Sequence, residues 1–212
     1  MIYDISPAIT MNLAVWPGDT PLSREVLSDM SNGANITLST IRATVHLGAH
    51  ADGPNHYGHP APGIGERTLE HYIGPCHVVK ATVERGARVG VGDIAWPGRA
   101  MGGVRHPRVL IRTDTFPDCN NFSKDFAGIE PALVDALADQ GVITIGTDAP
   151  SVDLFESKDL PAHNAFFRRD ISILEGLALG RIVPGEYELI ALPLKLMGFD
   201  ASPVRAVLRS LR

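Results

Sequence analysis

The pattern of hydrophobic and polar positions along the chain predicts more strand than helix. Short apolar runs bounded by glycine, proline or charged residues are typical of buried strands. One such run, 35–45, is rich in Thr, Ile and Val, which strands favour. The strands predicted on this basis cover residues 2–5, 35–45, 77–83, 108–114, 142–147 and 187–194.

Helical spacing of apolar residues occurs in fewer places. Residues 130–140 have a proline near their start, a glycine directly after their end and an apolar face, as helices often do. We also expect a short helix at 69–73, a second long one at about 163–177, and a last one from 202 to 211. With no internal repeat or linker, residues 1–212 are predicted to form a single α/β domain.

Composition narrows the class of protein. A hydrophobic content of 44% and a charged content of 20% are those of an ordinary globular protein, and the length suits one domain. The net charge of -5 argues against nucleic-acid binding. With only two cysteines, Cys76 and Cys119, we expect no disulfide framework and a reducing compartment. Without a recognisable signal sequence or an apolar stretch of about 18 residues, we expect a cytoplasmic protein with no membrane partner.

The segment 45–57 carries the strongest chemical signal. His46, His50, Asp52 and His56 are separated by even numbers of residues. In an extended strand, even spacing places side chains on one face, and Gly48 disfavours a helix here. Two imidazoles and a carboxylate that converge form a site for a first-row divalent metal. Ordinary hydrogen-bonded histidines are the alternative, but the added aspartate among small residues favours the metal site.

Three further residues are candidates for the same site. Trp16 lies in a turn-rich loop, where it either anchors the loop or forms an aromatic wall for a flat substrate. His163 begins the predicted helix 163–177, and Glu175 lies near its end in apolar surroundings. Twelve residues apart, they cannot be neighbours on one unbroken helix. His163 and Glu175 can converge only if a turn separates them. Residues 168–170 would allow such a turn.

Taken together, these segments resemble the bacterial kynurenine formamidases, which belong to the metal-dependent, cyclase-like hydrolases. The resemblance covers nearly the whole chain, including Val15-Trp16-Pro17-Gly18-Asp19 and Gly48-Ala49-His50-Ala51-Asp52. The other matching segments are 4–7, 74–76, 147–153, 157–163, 173–177 and 187–194. The resemblance implies a swivelling β/β/α fold with a central, β-barrel-like mixed sheet and flanking helices, assembled as a homodimer or higher homo-oligomer.

The resemblance also assigns roles to residues. It implies two zinc ions per subunit, with Mn or another divalent metal as the alternative. The implied metal ligands are His46, His50, Asp52, His163 and Glu175. Asp52 and Glu175 would bridge the two ions, and His163 would complete the second site. His56 would then be the catalytic acid and base, and Trp16 would line the pocket for an aromatic formamide substrate. The implied reaction is hydrolysis of N-formyl-L-kynurenine to L-kynurenine and formate.

Three other functions stay open at this point. A related hydrolase could open a cyclic amide such as isatin, and a non-catalytic metal-binding module would need the ligands but not His56. A serine or cysteine nucleophile is disfavoured, because the chain has no Gly-x-Ser-x-Gly elbow. Cys76 has only the adjacent His77 beside it, and neighbouring residues of a strand point to opposite faces.

Overall fold

A computed structural model describes residues 1–96 and 104–211 of the chain. Strands dominate these residues. In chain order they are β1 (Ile2–Asp4), β2 (Ser23–Ser28), β3 (Leu38–Arg42), β4 (His50–Asp52), β5 (Ile73–Lys80), β6 (Arg88–Val89), β7 (Arg108–Arg112), β8 (Gly128–Ile129), β9 (Thr144–Thr147), β10 (Ser172–Glu175), β11 (Gly185–Ile190), β12 (Ala201–Pro203) and β13 (Val207–Ser210). The two α-helices in the described ranges are α1 (Pro131–Asp139) and α2 (Pro161–Arg169).

Nine of these strands form one large, curled mixed sheet in the order β1-β13-β11-β5-β7-β9-β10-β4-β12. The four central strands β5, β7, β9 and β10 are parallel, and the strands on either side of them pair antiparallel. Two small sheets, β2–β3 and β6–β8, lie outside it. This is the α/β class that the sequence pattern predicts, and the curled half-barrel sheet agrees with the β-barrel-like sheet that the resemblance implies.

Hydrophobic clusters cover both faces of the central strands. On one face, Val109 and Ile145 pack with Leu133 of α1 and Phe166 of α2. Alternate positions, such as Leu110, point into a separate cluster on the other face. Parallel strands covered on both sides have nearly continuous apolar sequences. For this reason the short apolar runs predict β5, β7 and β9 correctly. The predictions for β1, β11 and α1 are also confirmed.

The predicted helix 163–177 is wrong in its second half. Helix α2 ends at Arg169, Asp170 turns the chain with a φ of 51°, and β10 begins at Ser172. All four β10 residues are buried, and they pair with β9 on one side and β4 on the other. Pairing inside the sheet decides the conformation of this segment, which helical periodicity alone misjudges.

Two other helix predictions are also wrong. Residues 202–211 hold β12 and β13, which pair with β4, β1 and β11. The expected helix 69–73 is only a single 3-10 turn over Leu69–His71, because Ile73 already belongs to β5. The predicted strand 35–45 shrinks to β3, which pairs with β2 outside the large sheet.

None of the helices that the structure describes is long and apolar enough to cross a membrane.

Candidate metal centre

Strand β4 brings two of the predicted ligands together, and a loop brings the third. His50 and Asp52 are two apart on β4, so both point to one face of the sheet. His46 is not on a strand, because residues 43–49 are irregular and Gly48 has a φ of 63°. The prediction that one strand face carries all three is therefore wrong for His46. The loop nevertheless places His46 Nδ1 3.2 Å from Asp52 Oδ1.

The register of the β10–β4 pair places Glu175 beside the same residues. Glu175 ends β10 and lies directly opposite His50 in the antiparallel β10–β4 pair. The His50 Nε2 atom lies 3.2 Å from Glu175 Oε2 and 3.5 Å from Asp52 Oδ1. The Glu175 side chain is also fixed from outside, since its Oε1 accepts the Val152 N–H at 2.7 Å. A carboxylate of strand β10 thus faces a histidine of β4 inside the fold.

Helix α2 presents His163 to the opposite side of these carboxylates. The His163 Nε2 atom lies 3.8 Å from Asp52 Oδ2 and 3.9 Å from Glu175 Oε1. Each carboxylate therefore turns one oxygen toward the histidines near β4 and the other toward His163. The turn at Asp170 makes this possible, because it ends α2 and reverses the chain into β10.

Acceptors behind two of the rings set their orientation. The carbonyl of Gly48 lies 2.9 Å from His50 Nδ1, and Asp153 Oδ2 lies 2.8 Å from His163 Nδ1. Asp153 is itself held by Arg88 at 2.7 Å. When each Nδ1–H donates outward, each Nε2 keeps its lone pair toward the carboxylates. Outer acceptors of this kind are typical of histidines that bind metal.

The donor set fits a divalent metal ion. His50 Nε2 and both carboxylate oxygens of Asp52 are buried and have no hydrogen-bond partner among the described residues. Leaving such atoms unpaired inside a protein is costly, so their positions call for a cation. Donors at about 2.0–2.2 Å around one tetrahedral zinc ion lie roughly 3.4 Å apart. The separations of 3.2–3.5 Å around Asp52 Oδ1 and Glu175 Oε2 match this spacing.

Electrostatics at the centre also favour positive charge. Burial opposes the charge on Asp52, but contacts with His163 and His46 hold its pKa well below the usual value. Burial likewise opposes protonation of His46, yet the neighbouring Asp52 raises its pKa to about 9. The hydrogen bond with Asp153 does the same for His163, raising its pKa to about 10 against the effect of burial. The protein therefore holds the Asp52 carboxylate ionised, as cation binding requires.

His56 lies beside this cluster on a different kind of support. It ends a single 3-10 turn that begins at Pro54, and 37% of its side chain is exposed. Its ring centre is 4.3 Å from that of His46 and 6.1 Å from that of His163. Burial of the other part of the ring lowers the pKa of His56. The structure thus brings His56 to the rim of the centre, where it can meet a bound molecule.

Asp200 also belongs to this cluster, although no sequence pattern indicates it. Its carboxylate Oδ2 lies 3.0 Å from His46 Nε2 and 3.8 Å from His56 Nδ1. Asp200 precedes β12, more than 140 residues after these histidines. Because the sequence analysis places a helix over 202–211, it gives no reason to connect Asp200 with the histidine segment.

A cavity of about 860 Å³ opens over the centre. His46, His56, His163 and Glu175 are among the residues that line it. Trp16 lines it too, so the predicted loop tryptophan does face the candidate site.

An aromatic cluster surrounds Trp16 in the wall of this cavity. The Trp16 ring stacks on Phe155 with centres 4.9 Å apart and meets Phe122 edge to face at 5.5 Å. Phe116 lines the same wall. The sequence analysis missed all three phenylalanines, and the only available signal was their concentration between residues 116 and 155. His59, by contrast, is exposed and is not among the residues that line the cavity.

Comparisons with known proteins agree with this geometry. Residues 3–154 match the sequence model of the cyclase family, described as "Putative cyclase". The kynurenine formamidase of Bordetella petrii is 40% identical over 216 residues, covering 99% of this chain and 98% of that protein.

Two solved structures show the same architecture. A potential metal-dependent hydrolase with cyclase activity superposes with a TM-score of 0.81 at 26% identity, covering 98% of this chain and 96% of that one. An isatin hydrolase bound to the product analogue thioisatinate has a TM-score of 0.79 at 20% identity, covering 98% and 91%. The isatin hydrolase, being so distant in sequence, shows the fold alone.

Proposed function

Because this chain belongs to the cyclase family of metal-dependent hydrolases, we propose that it hydrolyses the formamide of N-formyl-L-kynurenine to formate and L-kynurenine. The observation that carries the proposal is the cluster of buried, unpartnered donor atoms at the base of an aromatic-walled cavity. The 40% identity to a kynurenine formamidase over almost the full chain supports this substrate. We also predict that residues 1–212 form one hydrolase domain. Assembly into a homodimer or higher homo-oligomer is a further prediction.

Two zinc ions, or Mn or another divalent metal, are proposed for the centre. The proposed ligands are His46, His50, Asp52, His163 and Glu175. The two oxygens of each carboxylate face different histidines, which supports bridging by Asp52 and Glu175. Divalent ions bound by imidazole and carboxylate lower the pKa of bound water and polarise a carbonyl oxygen, which a formamide needs for attack by water.

His56 is proposed to move the proton. Hydrolysis forms a bond between the formyl carbon and a water oxygen and breaks the bond from that carbon to the aniline nitrogen. The nitrogen leaves poorly unless it is protonated. Partly exposed at the rim of the centre, the His56 ring reaches the bound substrate, and imidazole exchanges protons near neutral pH. It accepts a proton from the attacking water and delivers it to the departing nitrogen.

The aromatic wall is proposed to hold the substrate ring. Trp16 and Phe155 present a flat, apolar surface on which an aryl formamide can stack. The same surface also excludes water from the side of the cavity that the aryl group fills. The formyl group is carried on the nitrogen attached to this ring. Stacking of the ring therefore also positions the formyl group relative to the metal centre.

Turnover of two substrates tests the proposal. Purified, zinc-loaded protein is assayed with N-formyl-L-kynurenine and with isatin, a cyclic amide, before and after chelation. We expect kcat/KM for the formamide to exceed that for isatin at least about 100-fold, a difference of roughly 2.7 kcal/mol in transition-state binding. Chelation should abolish activity, and added zinc should restore it.

The results exclude the alternatives separately. Preferred turnover of isatin would assign the chain to the cyclic amides instead. Tightly bound metal with turnover of neither compound would favour a metal-binding module. Activity that survives complete removal of metal would overturn the metal-dependent mechanism.

A further inference from the structure

Asp200, which also lines the cavity, contacts His46 at the ring nitrogen opposite the one that faces Asp52. Its Oδ2 atom lies 3.0 Å from His46 Nε2, while the other ring nitrogen of His46, Nδ1, lies 3.2 Å from Asp52 Oδ1. The ring of His46 therefore separates the two carboxylates. A single histidine is held between an outer and an inner aspartate.

The backbone around Asp200 is fixed by the strand that carries Asp52. The carbonyl of Asp200 accepts the Gly53 N–H at 2.7 Å, and Ala201 pairs with Asp52 in the β12–β4 ladder. Residue 199 is held as well, since its carbonyl accepts the Ile64 N–H at 2.8 Å. The outer carboxylate therefore has a defined position relative to the inner one, although 48% of its side chain is exposed.

The contact decides which nitrogen of His46 can bind metal. If Nε2–H donates to Asp200, the proton of the neutral ring is on Nε2 and the lone pair is on Nδ1. Nδ1 is the atom that faces Asp52. The same logic applies to His50, whose outer nitrogen faces the Gly48 carbonyl, and to His163, whose outer nitrogen faces Asp153.

We propose that Asp200 is a positioning residue that fixes the tautomer and orientation of His46, and that it supports His56 from the same carboxylate. This inference rests on the proposed role of His46 as a metal ligand. A carboxylate that accepts from the outer nitrogen of a ligand histidine raises the basicity of the ring and keeps it aimed at the ion. His46 needs such support more than the other two rings, because it lies on an irregular loop rather than on β4 or α2.

The support for His56 follows from the same atom. Asp200 Oδ2 is 3.8 Å from His56 Nδ1, too long for a hydrogen bond but close enough for attraction when that ring is protonated. The rings of His46 and His56 lie 4.3 Å apart, so the side chain of Asp200 stands at the junction of both. Loss of Asp200 is therefore expected to affect metal binding first and turnover as well.

Competition for zinc tests the proposal without reference to substrate. Metal-free wild type, Asp200→Asn and Asp200→Ala are titrated with zinc against a chromophoric chelator. Losing an outer-shell partner weakens metal binding about 10–100-fold, and this is expected for the alanine variant. The asparagine variant should lose less, because its amide oxygen still accepts from His46 Nε2–H.

Asp4→Asn is the matched control. Asp4 lines the same cavity but pairs with Arg205 at its surface and contacts none of the candidate ligands. Its loss removes one negative charge from the cavity wall, and zinc affinity should change less than about twofold because exposed ion pairs contribute little. Thermal unfolding and circular dichroism of all variants report whether the fold is intact.

Three results would overturn the inference. Zinc affinity of Asp200→Ala within twofold of wild type would show that His46 needs no outer carboxylate. An equal loss in Asp4→Asn would assign the effect to overall charge. An Asp200 oxygen at about 2.0–2.2 Å from zinc in a crystal of the loaded protein would make it a ligand rather than a support. The proposed function can fail independently of this inference. In that case the wild-type protein would bind metal but would not turn over N-formyl-L-kynurenine.

Discussion

The candidate residues at the centre differ in how deeply they are buried and in the type of structure that carries them. His50, Asp52, Glu175 and His163 are buried on regular elements, whereas His56 lies on a short turn with part of its ring exposed. A ligand needs a fixed position, and a group that exchanges protons with a substrate needs access to the cavity. His46 also lies on a loop, but only 17% of its side chain is exposed. Exposure to the cavity is therefore the structural reason for assigning proton transfer to His56.

The variant His56→Ala tests that assignment. Turnover of N-formyl-L-kynurenine should fall about 10²–10⁴-fold, the usual contribution of general acid-base catalysis, while the two proposed ions stay bound. Turnover and metal content are measured on the same preparation. Loss of an ion would identify His56 as a ligand, since one of its ring nitrogens also lies within 4.8 Å of donor atoms on Asp52 and His163. Retained metal with near-normal turnover would leave it no catalytic role.

Trp16 is a second single residue whose role can be tested. Its substitution should affect substrate binding but not the chemical step. Trp16→Ala removes the ring that stacks on Phe155, and an aromatic contact of about 1–1.5 kcal/mol corresponds to roughly a tenfold higher KM. The kcat and metal content should change little. The control is Trp96→Ala, whose indole donates to the Val91 carbonyl and does not line the cavity. A collapse of kcat with loss of metal in the first variant would mean that Trp16 is structural.

At the scale of elements, the centre depends on a close approach between the end of β10 and the loop before β4. Gly176 follows Glu175 with a φ of 64°, and a Cβ there would lie 2.4 Å from the carbonyl oxygen of Gly48. That same oxygen accepts from His50 Nδ1. The packing of β10 on this loop therefore fixes two candidate ligands at once.

Gly176→Ala should disturb both stability and metal binding. The positive φ alone costs about 1–2 kcal/mol for a residue with a side chain, and the clash with backbone adds to it. Displacement of the Gly48 carbonyl should weaken zinc binding, because His50 loses its outer acceptor. Denaturant unfolding and zinc competition measure the two effects.

Gly33→Ala separates strain from contact. Gly33 has a φ of 87°, but a Cβ there would meet nothing within 4 Å. Its substitution should cost only the strain of the backbone, with zinc affinity unchanged. If the two glycine variants behave alike, close packing of β10 against the loop is not what positions the ligands.

At the scale of the whole molecule, the sheet gathers several acidic groups around one buried point. Asp52 and Glu175 are almost fully buried, and burying carboxylates is costly unless a cation is paired with them. Part of the stability of the fold is therefore expected to come from bound metal.

Zinc should raise the unfolding temperature. At a free concentration 100 times the dissociation constant, one bound ion adds about 2.7 kcal/mol. For a chain of this size that is roughly 5–11 °C. Thermal unfolding with zinc and with chelator measures the difference, and His50→Ala, which lacks a proposed ligand, is the control. An equal shift in that variant would place the stabilising metal elsewhere.

Local sequence determined much of this protein. Alternation in a strand joins His50 to Asp52, two residues apart, and glycine with proline marks the ends of helix α1. Continuous apolar runs indicate three of the four central parallel strands, β5, β7 and β9, because both of their faces are buried. These features depend on neighbours in the chain, so periodicity and turn chemistry are enough to predict them.

Only the tertiary structure decided how distant residues meet. Glu175 reaches His50 because β10 pairs with β4, although its own segment has a helical pattern. Asp200 reaches His46 through the β12–β4 ladder, and the phenylalanines join Trp16 in the cavity wall. No local pattern encodes these contacts, because the free energy of pairing and burial depends on which strands become neighbours in the sheet.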